Sequence, residues 1–284
     1  MKLPAFDYAA PATLREALDL LAANPGAKAL AGGQSLIPTM AFRLAAPPML
    51  VDLANLRELE KITIDANGAH LGARVRWRDI EDHAALAKAQ PLLADAISHV
   101  AHYQVRNRGT IGGSLAHADP AAEMPGIAVT CDAQIMVHGS GGPRTIAAGD
   151  FFTGALSTSL RDDELIVQVR LPGWPTNRRW AFEEFARRRG DFALAGVAVY
   201  YDLDANGRAA NTHIGVIGAC TRPRRVKPAE SAVNGHALTE KTIQAAARAL
   251  EGALDDAPTD LHASAAYRRS LAGALLERAL TRTL

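Results

Sequence analysis

With 284 residues, 48% of them hydrophobic, the chain is long enough to bury a large core in two or three packed units. Its 31 Lys and Arg stand against 30 Asp and Glu, so bulk charge favours neither a nucleic acid nor an anionic membrane as partner. No run approaches the roughly 18 apolar residues of a membrane span, and Pro4 and Asp7 interrupt the place where a secretory leader would be apolar. A cytoplasmic location is therefore expected, with the inner face of the membrane as its nearest variant. Cys131 and Cys220 are the only cysteines. Two thiols are too few for an iron–sulfur cluster or a structural zinc within this chain, and each reads as a small buried hydrophobe.

Taken in order, Thr13 and Glu16 form a capping box ahead of Leu14, Ala17, Leu18 and Leu21, and Gly26 is a stop, which predicts an amphipathic helix over 13–24. Lys28 to Ala31 reads as a strand running into Gly32 and Gly33. Beyond Leu36 to Leu44, Pro47 and Pro48 break the chain before a second buried strand, MLVDL. From Lys61 the runs KITID and AHLGA flank Ala66, Asn67 and Gly68 as a hairpin. Helical spacing follows over Trp77 to Leu86 and Leu92 to Val100, separated by Pro91, and again over Pro120 to Val129. AQIMVHG, RTIAA and ELIVQVRLP are strand candidates that would close a second sheet. Trp174, Pro175 and Asn177 mark a boundary. After it, ALAGVAVYYDL and THIGVIGA read as strands, and Thr239 to Leu254 and His262 to Leu280 as helices. The class is α+β, in three units: 1–54, 55–176 and 177–284.

Two stretches stand out chemically: ALAGGQSL, from Ala29 to Leu36, and TIGGSLAHADPAAE, from Thr110 to Glu123. Each is read as a turn in which adjacent glycines let backbone N–H groups converge on an anion more closely than a Cβ permits. Gln34, Ser35, Thr110 and Ser114 add side-chain donors. Together they suggest one diphosphate held twice, without the GxGxxG or GxxxxGK[ST] pattern of the common nucleotide folds. His99, His102, His117 and Asp119 raise the question of a metal. Pro120 makes their segment a rigid loop better suited to shaping a pocket, so none is expected. Arg187, Arg188 and Arg189 lack the aromatic ladder of a nucleic-acid reader and are taken as a solvated face or subunit contact. No catalytic Ser-His-Asp order, HExxH or tasked carboxylate pair is evident.

These segments, with VRNRGTIGGSLAHADPAAEMP and RRRGDFALAGVAV around them, resemble the FAD-binding medium subunit of the molybdenum hydroxylases, the group of xanthine dehydrogenase and aerobic carbon monoxide dehydrogenase. The resemblance runs from Phe6 to about the C-terminus. It implies a two-subdomain FAD-binding fold of the vanillyl-alcohol-oxidase (PCMH) type, followed by a smaller α+β domain. It also implies an electron relay, with FAD here and a molybdenum cofactor and two 2Fe-2S clusters on a large and a small partner subunit, in a dimer of heterotrimers. The flavin site it implies comprises Ala29, Leu30, Ala31, Gly32, Gly33, Gln34, Ser35, Leu36, Val100, Thr110, Ile111, Gly112, Gly113, Ser114, Asp119, Glu123, Leu165, Ile166 and Phe192. No residue of the chain is assigned a catalytic role, and Gly113→Val is expected to abolish flavin retention. Phe192 stands where many members have Tyr, and Glu184 where some have a flavin-contacting Lys; both departures bear on the flavin's redox tuning. The alternative is a self-sufficient flavin oxidoreductase of the same fold.

Overall fold

A computed structural model of the chain describes residues 2–284. The first unit alternates β1 (Asp7–Ala9), α1 (Leu14–Ala23), β2 (Lys28–Leu30), α2 (Leu36–Ala41) and β3 (Met49–Asp52) in a parallel sheet of order β1-β3-β2. The capping box forms as read: the Thr13 hydroxyl accepts from the Glu16 N–H at 3.2 Å, and the Glu16 carboxylate accepts from the Thr13 N–H. Ala17 and Leu21 on the inner face of α1 pack against Val51, Leu53 and Leu56. The helix after Gly33 is shorter than the 36–44 stretch, ending at Phe42 with Arg43 at φ +62°.

In the second unit β4 (Ile62–Asp65) and β5 (Gly68–Gly72) make the expected hairpin, closed by Gly68 at φ +131°. Six short helices follow: α3 (Trp77–Glu81), α4 (Ala84–Ala89), α5 (Pro91–Ile97), α6 (Tyr103–Arg106), α7 (Ile111–His117) and α8 (Glu123–Thr130). The single helix expected over 77–86 is divided, because His83 turns its Nδ1 to accept from the Leu86 N–H at 3.0 Å and so caps a new helix. Then come β6 (Gln134–Gly139), β7 (Gly142–Ala147), α9 (Ala148–Phe151), the small pair β8 (Phe152–Gly154) and β9 (Ser157–Thr158), and β10 (Leu165–Pro172). The main sheet is antiparallel, of order β4-β5-β10-β6-β7. Strand β10 shows why both of its faces are apolar: Leu165 and Val167 join the core of the first unit, while Val169 and Leu171 join that of the second. A bulge between Ile166 and Gln168 reverses the alternation, so that Val169 and Leu171 fall on the same side as Ile166.

The third unit is an antiparallel sheet of β11 (Arg179–Phe185), β12 (Ala195–Leu203), β13 (Ala209–Ile217) and β14 (Arg224–Arg225), with α10 (Lys227–Val233), α11 (Glu240–Gly252) and α12 (Ala265–Arg282) against it. The near-continuous apolar run of β12 is explained by burial on two sides. Val197, Val199 and Tyr201 face Leu250, Leu275 and Leu276 of the helices, while Ala198 and Tyr200 enter the core of the second unit. At the junction the Arg178 guanidinium lies 5.0 Å from the Trp174 ring centroid and 4.2 Å from that of Tyr200, and it binds both oxygens of Asp202. No helix among the described residues is long and apolar enough to cross a membrane.

Candidate functional site

The two glycine stretches, some eighty residues apart in sequence, come together. A Cβ placed on Gly32 would collide with the Arg108 carbonyl oxygen and lie 2.9 Å from the Gly109 Cα, so only glycine lets the end of β2 touch the residues leading into Thr110. Gly33 follows at φ +71°, and the backbone turns into α2. Among the described residues no acceptor is found for the N–H groups of Gly33, Gln34, Ser35 or Leu36. The side chains add little here: Ser35 makes no cap hydrogen bond and Gln34 Nε2 folds back on the Gly32 carbonyl at 3.3 Å. Converging, unsatisfied N–H groups at a helix start form a cradle for an anionic oxygen.

The second glycine pair is built differently, which corrects the reading of it as a turn. Thr110 is the N-cap of α7, and Gly112 and Gly113 lie in the helix's first turn. All four N–H groups here are occupied. Ile111 donates to the Val75 carbonyl at 3.0 Å, Gly112 to Ala73 at 2.8 Å, Gly113 to the Thr110 hydroxyl at 3.2 Å and Ser114 to the Thr110 carbonyl at 3.0 Å. Gly112 is small because a Cβ would lie 2.7 Å from the Ala73 Cβ.

From this point the strip 98–110 runs between the outer units. Near its far end a Cβ on Gly190, in the loop between β11 and β12, would lie 2.5 Å from His102 Nδ1 and 2.9 Å from the Ala101 carbonyl oxygen. Arg106 secures the bend at Ala101, donating to the Val100 carbonyl at 2.9 Å and pairing with Glu81 at 2.9 Å. Ser98, His99, Glu184, Arg188, Arg189 and Gly190 surround a cavity of about 330 Å³ at this contact. A larger hollow of about 480 Å³ lies beside Ala9 to Pro11 and the Glu16 face of α1, at the opposite edge of the first sheet from the glycine cradle.

Asp119 follows Ala118, which ends α7 at φ +53°, and its carboxylate accepts from the Ala121 N–H at 2.9 Å. Glu123 begins α8 and is almost entirely buried. Burial, and then the nearby Asp119 charge, pushes its carboxyl pKa up; burial and the Glu123 charge do the same for Glu184. Val100 is buried in the second core, and Leu165 and Ile166 are interior positions of β10. Phe192 stands in the β11–β12 loop, 62% exposed. His99 meets the Phe182 ring edge-on, and among the described residues no three His, Cys, Asp or Glu side chains cluster as metal ligands. Arg188 and Arg189 border the cavity, while Arg187 meets His262 at 3.0 Å. Both cysteines are buried and free, and burial pushes each thiol up to about 12. Sequence reasoning missed Arg108, Gly109 and Gly190, and weighed His102 only as a metal ligand. The two glycines were visible signals, each following an arginine-rich run and each lying where two chain segments touch.

Residues 4–174 match the FAD binding domain in molybdopterin dehydrogenase, and residues 180–283 match the CO dehydrogenase flavoprotein C-terminal domain. The chain belongs to the FAD-binding medium subunits of the molybdenum hydroxylases. It is 41% identical over 280 residues to the nicotine 6-hydroxylase medium subunit of Paenarthrobacter nicotinovorans, covering 99% of this chain and 98% of that one. Against the carbon monoxide dehydrogenase medium chain of Hydrogenophaga pseudoflava it is 35% identical, covering 98% and 96%. The solved quinoline 2-oxidoreductase of Pseudomonas putida 86 superposes with a TM-score of 0.94 at 40% identity, covering 100% of this chain and 98% of that one. A solved Hydrogenophaga pseudoflava carbon monoxide dehydrogenase superposes with a TM-score of 0.96 at 36% identity, covering 100% and 98%. The medium subunit described here is thus an FAD-binding oxidoreductase component. The open N–H cradle and the glycine-only contact beside it fit a dinucleotide's phosphates without a cluster of Lys or Arg.

Proposed function

We propose that this medium subunit works as the flavin relay of a heterotrimer, itself paired into a dimer of heterotrimers. Electrons from a large molybdopterin subunit would pass through two 2Fe-2S clusters on a small subunit to FAD held here, and on to an external acceptor. The observation that carries the reading is the row of unpaired N–H groups from Gly33 to Leu36, held against Arg108 and Gly109 by a contact that only Gly32 permits. These residues would bind the diphosphate. Thr110, Ser114 and Asp119 would line its path, and the isoalloxazine would reach the cavity between Ser98 to His99 and the Glu184 to Phe192 loop. FAD, when bound, exchanges a hydride or single electrons. The chain's own residues orient it, exclude water from one side of it and set its electrostatic surroundings. The three units 1–54, 55–176 and 177–284 would divide the labour: cradle, scaffold and lid.

His102 and Arg108 are six positions apart, along a stretch that includes the single turn of α6, a distance on the order of 10 Å at helical rise. One extended dinucleotide can therefore touch both contacts. The test is to express the chain with its neighbouring genes, purify it through a tag, release the flavin by denaturation and identify it. FAD in equal amount to the chain, with two further subunits bound, supports the relay. A colourless chain, or one that turns over substrate by itself, would overturn it.

A further inference from the structure

We propose that Arg268 is a positioning residue for the flavin, fixing the cavity-bordering loop 186–194 against the bend at Asp119 and Pro120. This rests on the reading that FAD occupies the cavity. The buried stripe of α12 runs through Ala272, Leu275, Leu276, Ala279 and Leu280, yet its first member is a charge: Arg268, 4% exposed. Its Nη1 donates to the Leu194 carbonyl at 2.8 Å and to the Gly218 carbonyl at 2.8 Å, and its Nη2 donates to Asp260 Oδ2 at 2.6 Å. Asp260 is itself held, its Oδ1 accepting from the His262 N–H at 2.8 Å and the Ala263 N–H at 3.0 Å.

Each of the two carbonyls belongs to a segment at the site. Leu194 closes the β11–β12 loop, its N–H donating to the Phe185 carbonyl at 2.8 Å, and the loop so closed carries Phe192 together with Arg188, Arg189 and Gly190 of the cavity. Gly218 follows β13 at φ +72°, and a Cβ there would lie 2.7 Å from the Ala193 carbonyl oxygen and 2.9 Å from that of Leu194. Its N–H donates to the Pro120 carbonyl at 2.9 Å. One guanidinium therefore joins the loop that borders the cavity to the bend that the diphosphate would pass. The lead-in to α12 meets the loop a second time at the surface, where His262 and Arg187 approach to 3.0 Å. Burying a guanidinium is costly, and a helix packed for stability alone is served as well by an apolar residue. What the charge supplies is a planar fork that holds two carbonyls and a carboxylate in fixed directions, which an ammonium reproduces only in part and an apolar side chain not at all.

The test uses the full chain and compares Arg268→Met and Arg268→Lys with Leu276→Ala, a truncation two turns further along the same buried stripe. Each protein is freed of flavin, FAD is added back, and thermal unfolding reports the stability each variant has lost. Arg268→Met is expected to raise the FAD Kd about tenfold or more and to alter the visible circular dichroism of the bound flavin. Arg268→Lys should show a smaller change in both, and Leu276→Ala should match the wild type in both despite a lower Tm. Amide hydrogen exchange over 186–194 should quicken in Arg268→Met and not in Leu276→Ala. Wild-type Kd and dichroism in Arg268→Met would overturn the proposal. The same changes in Leu276→Ala would overturn it too, since they would then follow from lost stability alone. Should Arg268→Met not fold, Arg268→Lys decides on the same two readouts. A wild type that binds no FAD would fail the flavin reading and the positioning role with it, while amide exchange would still decide whether Arg268 clamps the loop.

Discussion

The two glycine pairs look alike in sequence and act in opposite ways. At Gly32 and Gly33 the backbone approaches a neighbouring segment and leaves the next N–H groups open; at Gly112 and Gly113 the same dipeptide opens a helix whose N–H groups all find partners inside the chain. The difference lies in the cap beside each pair. Thr110 satisfies its own helix with an N-cap hydroxyl, whereas Ser35, the N-cap of α2, makes no such bond and leaves the start of that helix unsatisfied. A glycine pair is a permission, and the neighbouring cap decides whether the N–H groups beside it stay open or are satisfied within the chain.

This contrast can be broken by substitution. Gly32→Val should have the largest effect, because its side chain would strike the Arg108 backbone, which cannot swing aside. We expect loss of roughly 3 kcal/mol or more of stability together with loss of FAD, read by denaturant unfolding and flavin content; a variant with full flavin would sink the cradle assignment. Gly112→Ala forces apart α7 and Ala73 and should cost about 1–3 kcal/mol, yet we expect the FAD content of the folded fraction to be unchanged, because the N–H groups there already have partners within the chain. Gly113→Val reverses the expectation drawn from sequence. A Cβ there meets only the Thr110 hydroxyl, at 2.9 Å, so we expect a weakened cap, about 1 kcal/mol of lost stability, and FAD retained per folded chain.

The smallest effect concerns a contact remote from both pairs. Hydrogen bonds from Arg178, acting against the cost of partial burial, hold the Asp202 carboxyl below its ordinary value. A depressed carboxyl contributes stability that is complete above its unfolded pKa of about 4 and is lost as pH falls through the lower folded value. Acid unfolding should therefore be less steep in Asp202→Asn than in the wild type over that window; identical slopes would dismiss the contact as a pH-dependent anchor.

Much of this was legible in one dimension. The capping box at Thr13, the hairpin around Asn67 and the late amphipathic helices α11 and α12 all depend on neighbours within a few residues. Other features were not: β11 and α10 gave no clear periodic signal, the helix at 77–86 divides because of a histidine cap, and Leu165 and Ile166 look alike but serve two cores. At the site, the sequence singled out Gly32, Glu123 and Glu184 as residues of interest, but not the contact of Gly32 with Arg108 and Gly109.

Local patterns, then, were enough to determine the class of the chain, its caps and turns, and a family whose motifs are runs of consecutive residues. Tertiary structure alone decided which glycines leave the neighbouring N–H groups open and which pack against another segment. Those outcomes depend on backbone and side-chain atoms brought together from distant segments, and a close approach in space leaves no fixed spacing along the polypeptide.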